Sequence, residues 1–168
     1  GRPSPTTAAH VLHTLEGTVD AVLDGGPTEV GIESTVLDLS QSKPRVLRPG
    51  AVDEAALTRV LGDILPYAPK PQDAGAASPG LRHRHYAPAI HEVARADLSN
   101  LEGAWQSEAA LLLRRATAAH LERAHGERAA PVEALPDDPE GFARALYAAL
   151  YRLEALGVTR LIVEEPPT

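Results

Sequence analysis

The run Ala109-Ala110-Leu111-Leu112-Leu113 contains no polar residue. A strand that is apolar on both sides must be covered on both faces, as in a parallel sheet packed between helices. A chain carrying such a strand has to supply the covering helices itself. Asp138 to Leu156 supplies one, with Phe142, Leu146, Leu150, Leu153 and Leu156 recurring on one side and Gly157 ending it. Thr159 to Val163 follows as another buried strand, Ile90 to Val93 precedes as a strand-like run, and Val132 to Leu135 lies between. Strands alternating with helices predict an α/β layer structure with right-handed crossovers.

The first half of the chain reads differently. Ala8, Val11, Leu12 and Leu15 fall at helical spacing over residues 5 to 16, with Thr6 or Thr7 as the cap and Gly17 as the stop. Val19 to Leu23, Ile32 to Leu39 and Arg45 to Leu47 are predicted strands. Asp24-Gly25-Gly26-Pro27 marks a turn, and Arg48-Pro49-Gly50 stops the third strand. Asp53 caps a helix that runs to Leu61 and closes at Gly62. Residues 63 to 80 then crowd Pro66, Pro69, Pro71, Gly75, Pro79 and Gly80 into a stretch with little periodicity, read as a linker.

At 168 residues and 43% apolar, the chain can build one domain or two small ones and is not a disordered tail. It has no Cys, which excludes disulfides and thiolate metal sites and accords with a cytoplasmic protein. No apolar run approaches the roughly 20 residues of a membrane span, and no signal peptide is visible. The missing initiator Met and the loop-like ends predict a piece cut from a longer chain. A net charge of −7 disfavours broad phosphate-backbone binding, so weak or no direct contact with nucleic acid is expected. The exception is a short basic stretch, where Arg82, His83, Arg84, His85 and Tyr86 stand together.

Five groups of residues could carry chemistry. Gly31-Ile32-Glu33-Ser34-Thr35-Val36 puts a glycine at the mouth of a strand, where a ligand can approach the backbone, and follows it with two hydroxyls; it also reads as a plain strand with polar groups on its wet face. Arg48, before a rigid Pro-Gly turn, is placed to fork a carboxylate or phosphate, or simply to sit in a surface turn. The segment Ser78-Pro79-Gly80-Leu81-Arg82-His83-Arg84-His85-Tyr86-Ala87-Pro88 suits an anionic ligand, with Tyr86 able to stack on a base. Its His-x-His pair does not read as a metal site, since the cluster holds neither Cys nor carboxylate; its bland alternative is a solvated basic linker. Ser4 and Thr6 precede a helix N-terminus, which attracts anions but equally needs only capping. Asp24, Glu29, Glu33 and Asp38 are close enough in sequence to suggest Mg²⁺, yet carboxylates of this kind more often form turns, and none is assigned as a ligand.

The order of these motifs is more telling than any one of them. Ser4-Pro5-Thr6, Asp24-Gly25-Gly26, Gly31 to Val36, Leu47-Arg48-Pro49-Gly50, Ser78-Pro79-Gly80 and His83 to Pro88 together resemble the long form of threonylcarbamoyl-AMP synthase. The likeness carries motifs from Gly1 to about Pro88 and extends more loosely to Pro167. It implies the C-terminal portion of a YrdC-like twisted open sheet over residues 1–62, a linker with a loop covering the active site over 63–89, and a small Rossmann-like α/β/α domain over 90–168. No glycine-rich dinucleotide fingerprint accompanies that last domain. The lysines and arginines with which the family grips triphosphate lie in the front of the domain, so the resemblance implies an incomplete and inactive site in this chain alone.

Carried over residue by residue, the resemblance implies that Ser34, with Thr35 beside it, contacts threonine, and that Arg48 is the catalytic residue, binding nucleotide at phosphate. Ser4 and Thr6 would lie near ATP, and His85 and Tyr86 would belong to the covering loop and bind the nucleotide, with Tyr86 against it. The implied reaction joins L-threonine, bicarbonate and ATP, with Mg²⁺ accompanying ATP and no organic cofactor. Its product would pass to a complex that transfers threonylcarbamoyl to tRNA. Two other readings share the YrdC-like fold: an RNA-binding translation factor, and the carbamoyl-transfer domain of hydrogenase maturation.

Overall fold

The structure is a computed structural model that describes residues 2–68 and 87–165. In chain order these form α1 (Ala8–Leu15), β1 (Val36–Asp38), β2 (Arg45–Arg48), α2 (Glu54–Leu61), β3 (Glu92–Ala96), α3 (Leu98–Trp105), β4 (Ala110–Arg114), α4 (Arg115–His125), β5 (Val132–Leu135), α5 (Pro139–Ala155) and β6 (Arg160–Glu164). Side-chain caps start four of the helices. Thr7 accepts from the His10 amide at 3.2 Å, Asp53 from Ala56 at 2.6 Å, Asp97 from Asn100 at 3.0 Å and Asp138 from Gly141 at 2.7 Å. Each such cap contributes about 1 kcal/mol. Helix α4 has no cap of its own, and its Ala116 amide donates instead to Asp137 Oδ1 at 2.9 Å. No described helix is long and apolar enough to cross a membrane.

Contacts gather the chain into two units, residues 1–4 with 32–86 and residues 5–31 with 87–168. In the second unit, four parallel strands lie in the order β3-β6-β4-β5. The apolar run read from the sequence is β4, and it occupies an interior position in that sheet. Leu111 and Leu113 pack with Leu101, Trp105, Ala118 and Leu121 from α3 and α4. Strand alternation sends Leu112 to the opposite face, on the side of α5, which packs along β4 and β5. All three leucines are fully buried, each contributing roughly 1.5–3 kcal/mol. The parallel α/β sheet expected from the sequence is therefore present.

Apolar spacing names neither α3 nor α4. In α4 the first turn mixes Arg115 and Thr117 with alanines and Leu121 is the one large aliphatic side chain, so its inward face carries too little apolar signal. At the start of β4, Arg128 acts as a clamp. Its guanidinium donates to the Ser107 carbonyl at 2.8 Å and to the Ala104 and Ala109 carbonyls, and it lies 5.5 Å from the centre of the Trp105 ring.

By its contacts, segment 5–31 groups with the parallel-sheet unit. Helix α1 forms as expected, but its apolar stripe is not what docks it. Leu12 and Leu15 are exposed, while the His10 ring stacks on Tyr151 of α5 with centroids 4.0 Å apart, and Thr14 Oγ1 lies 3.1 Å from the Tyr151 hydroxyl. The strand predicted over Val19 to Leu23 is absent among the described residues. Leu23 is 98% exposed and has no face to bury, so β propensity has nothing to act on.

His10 also sets a pH dependence. The Thr6 backbone N–H donates to its Nδ1 at 3.3 Å, so that nitrogen must be unprotonated and the ring neutral. Burial first, then Arg152 and His13, lower its pKa from 6.5. A histidine with a depressed folded pKa supports the fold fully above its unfolded value and loses that support as pH falls through and below 6.5. Thermal unfolding followed from about pH 8 to about pH 5 should show a loss in this window that His10→Phe, which keeps the ring stack, reduces. Identical profiles would remove His10 from the account.

The first unit is smaller. Strands β1 and β2 pair antiparallel, with Val36 opposite Arg48, Leu37 opposite Val46 and a register shift between Val36 and Leu37. The Val46 amide donates to the Leu65 carbonyl at 3.0 Å, and the Leu65 amide donates to the Pro44 carbonyl at 2.8 Å. The strand predicted over Ile32 to Leu39 shortens to Val36–Asp38. Residues 33–35 leave the ladder because other groups claim them, and those groups make up the candidate site.

Candidate functional site

A glycine starts the construction. A Cβ on Gly50 would meet the Glu33 carbonyl oxygen at 2.6 Å, the Ser34 carbonyl carbon at 2.5 Å and the Thr35 amide nitrogen. Only a residue without a side chain lets the turn after β2 lie this close to the backbone of residues 33–35. Thr35 closes the same turn. Its hydroxyl donates to the Val52 carbonyl at 2.8 Å and accepts from the Val52 amide at 3.2 Å.

Against that backbone, Arg48 folds over Ser34. Its Nε donates to the Ser34 carbonyl at 3.0 Å, one terminal nitrogen donates to Ser34 Oγ at 3.2 Å, and the same nitrogen lies 3.5 Å from Glu33 Oε2. The other Glu33 oxygen accepts from the Ser4 hydroxyl. Side-chain exposure is 12% for Arg48 and 20% for Glu33, so this ion pair is largely shielded, whereas Ser34 is exposed. The result is a continuous polar array, Ser4–Glu33–Arg48–Ser34, offering a cation, an anion and two hydroxyls within one unit. Such a set can hold a small zwitterion or exchange its internal ion pair for a phosphate.

The structure thus brings together Ser4, Ser34 and Arg48, with Thr35 fixed beside them. Thr6 falls in the other unit, where it is buried and its hydroxyl lies 3.1 Å from His10 Nδ1. His85 and Tyr86 lie outside the described residues, as do His83 and Arg84. Glu33 is the member to which sequence reasoning gave no role; it stood inside the Gly31–Val36 motif and among the scattered carboxylates. Its signal is the adjacency Glu33-Ser34 at the same strand mouth. Among the described residues no three His, Asp or Glu side chains converge as metal ligands. Asp24 accepts from the Gly26 amide and Asp38 from Ser40, as turn formers do. Ser40's hydroxyl and then its amide lower the Asp38 carboxyl below its ordinary value.

Comparison with known proteins covers both units. Residues 52–168 match the family model described as threonylcarbamoyl-AMP synthase, C-terminal domain, and residues 1–50 match the model described as telomere recombination. Threonylcarbamoyl-AMP synthase of Bacillus subtilis (strain 168) is 43% identical over 89 residues, which is 52% of this chain and 26% of that protein. The synthase of Pyrococcus abyssi is 40% identical over 96 residues, 55% of this chain and 28% of that protein. The crystal structure of P. abyssi Sua5 complexed with L-threonine aligns with a TM-score of 0.77 and 29% identity over 99% of this chain and 50% of that one. A P. abyssi Sua5 variant with an adjacent histidine and tyrosine both replaced by alanine aligns at 0.75 and 26% identity, over 99% of this chain and 49% of that one. The chain thus spans about half the length of these solved relatives, and its aligned part about a quarter of the curated ones. With well over half of its residues matched by a single family model, the chain belongs to the threonylcarbamoyl-AMP synthase C-terminal domain family.

Proposed function

We propose that the protein is an L-threonylcarbamoyladenylate synthase of the cytoplasm, forming threonylcarbamoyl-AMP and pyrophosphate from L-threonine, bicarbonate and ATP. The observation that carries this reading is the Ser4–Glu33–Arg48–Ser34 array, in a chain whose fold follows over 99% of its length a protein solved with L-threonine. The product is a labile mixed anhydride, so its consumer is a complex that transfers threonylcarbamoyl to tRNA. Magnesium enters as the counter-ion of ATP and belongs to the substrate.

In the reaction, the threonine amine adds to CO₂ derived from bicarbonate and loses a proton to give a carbamate. A carbamate oxygen attacks the α-phosphorus, and the bond to the bridging oxygen breaks to release pyrophosphate. In-line positioning and neutralised phosphate charge are the requirements. On this reading the Ser34 hydroxyl orients threonine, and Arg48, held over Ser34, exchanges Glu33 for a phosphate oxygen. Carbamates and acyl phosphates are lost to water, so a covering segment is needed; His85-Tyr86 is the one adjacent His-Tyr pair in the sequence. That such a pair was chosen for substitution in the P. abyssi relative supports this assignment.

The test is pyrophosphate release by the protein at its full natural length. Release should require both threonine and bicarbonate, and its absence with all substrates present would refute the reading. Arg48→Ala should weaken ATP binding about ten- to a hundredfold in titration calorimetry, the worth of a charge-assisted hydrogen bond or two. Unchanged ATP affinity would remove Arg48 from the phosphate.

A further inference from the structure

One terminal nitrogen of Arg48 touches two oxygens of the polar array at once. It donates to Ser34 Oγ at 3.2 Å and stands 3.5 Å from Glu33 Oε2. The first distance is that of a hydrogen bond, and the second is a Coulombic contact without one. Nε of the same guanidinium donates to the Ser34 carbonyl at 3.0 Å. Ser34 thus supplies Arg48 with hydrogen-bond acceptors, and Glu33 supplies it with charge. A carboxylate that pairs by charge alone is an exchangeable partner.

Glu33 has an anchor of its own. Its other oxygen accepts from the Ser4 hydroxyl, a contact that does not run through Arg48. The backbone on which Glu33 and Ser34 stand is pressed against Gly50, so both oxygens keep their places if the guanidinium moves. Both members of the ion pair are shielded, at 12% and 20% side-chain exposure. A shielded carboxylate stripped of its cation is costly until another cation replaces it.

A phosphate draws Arg48 away, because it offers charge-assisted hydrogen bonds where Glu33 offers only charge. The vacated position then has a hydroxyl and a carboxylate around it, both within reach of a single nitrogen. A primary ammonium group matches that position in charge and in donors. A carboxylate or a second phosphate would meet Glu33 as a like charge.

We infer that the place now filled by this Arg48 nitrogen is the subsite for the ammonium group of threonine, with Glu33 the residue that recognises it. This rests on the synthase reading above and adds that the two substrates help each other bind. Without nucleotide, threonine has to displace Arg48 from Glu33. With nucleotide, Arg48 has a phosphate to go to, and Glu33 has a charge to regain. Linkage makes the effect equal in both directions.

The experiment is titration calorimetry on the full-length protein in bicarbonate-free buffer, where no turnover occurs. The ligands are ATP, L-threonine, and 3-hydroxybutyrate, which is threonine without its amine. In wild-type protein, saturating ATP should tighten threonine at least about fivefold. It should leave 3-hydroxybutyrate unchanged within about twofold, since that ligand brings no cation. Glu33→Gln keeps the size and an acceptor but loses the charge. It should bind ATP alone at least as tightly as wild type, lose the coupling, and bind threonine about tenfold more weakly. A Glu33 that only props the site open would give the opposite pattern, with ATP and both small ligands weakened together. That pattern overturns the inference, as does wild-type protein in which ATP tightens threonine and 3-hydroxybutyrate alike or tightens neither. If wild-type protein binds neither ATP nor threonine, the synthase reading itself fails and the subsite goes with it. Binding of both without the amine-dependent coupling sinks the subsite alone.

Discussion

Replacing Glu164 by alanine is expected to destabilise the parallel-sheet unit by about 3 kcal/mol, the scale of removing one partner from a buried ion pair. Glu164 ends β6 with a side chain only 4% exposed. One carboxylate oxygen accepts from the Arg114 backbone amide at 2.7 Å; the other accepts from Arg114 Nε at 2.8 Å, from a terminal guanidinium nitrogen, and from Thr117 Oγ1 at 2.8 Å. The β4–β6 ladder pairs Leu112 with Val163 and does not reach Arg114. The carboxylate therefore takes over where the backbone ladder stops and ties β6, the end of β4 and the first turn of α4 together. Its hydrogen bonds, ahead of its charge, raise the Arg114 pKa above the ordinary value. Removing it leaves a guanidinium, an amide and a hydroxyl without their acceptor. The guanidinium is 32% exposed and partly recovered by water, so the loss sits at the lower end of the buried-pair range. A melting temperature about 10 °C lower is the expected reading. Glu164→Gln should fall between, since an amide oxygen still accepts but brings no charge. A melting temperature within a degree or so of wild type for the alanine variant would mean that solvent replaces the carboxylate fully.

Much of the parallel sheet was legible because its signals are local. The apolar run at 109–113, the periodicity of α5 and the turn glycine at 157 each report on a neighbourhood of a few residues, and each element falls where they point. Glu164 was not legible. Read along the chain it is the first polar residue after a strand, indistinguishable from a solvated end; its role depends on Arg114 and Thr117, which are about fifty residues away. The same holds for His10 and Thr14, whose polar side chains, rather than the neighbouring leucines, meet Tyr151. In the candidate site, Ser34 and Arg48 could be singled out as exposed polar groups near turns. Their mutual contact and the part played by Glu33 follow from the antiparallel register that sets Val36 opposite Arg48, which no spacing rule contains.

Gly50 gives the largest expected effect on activity. Substituting alanine places a methyl group against three backbone atoms of residues 33–35, where no flexible side chain can swing aside. The turn must move away or residues 33–35 must shift; either change opens the Thr35–Val52 hydrogen bonds and slides Ser34 out from under Arg48. Overpacking of this kind costs about 1–3 kcal/mol in stability. The functional loss should be larger, because a displacement near 1 Å at a positioning backbone costs on the order of a hundredfold in rate. On the synthase reading proposed above, threonine-dependent pyrophosphate release by the full-length Gly50→Ala protein should therefore drop at least about a hundredfold while most of the protein remains folded. Gly103 provides the contrast. It sits in the middle of α3 with nothing within 4 Å of the place a methyl would take and no positive φ, so Gly103→Ala should stabilise the fold by about 0.5–1 kcal/mol and leave activity untouched. Full activity in Gly50→Ala would show that the close approach of the two backbones is incidental, and that the array around Arg48 is not where threonine and nucleotide meet.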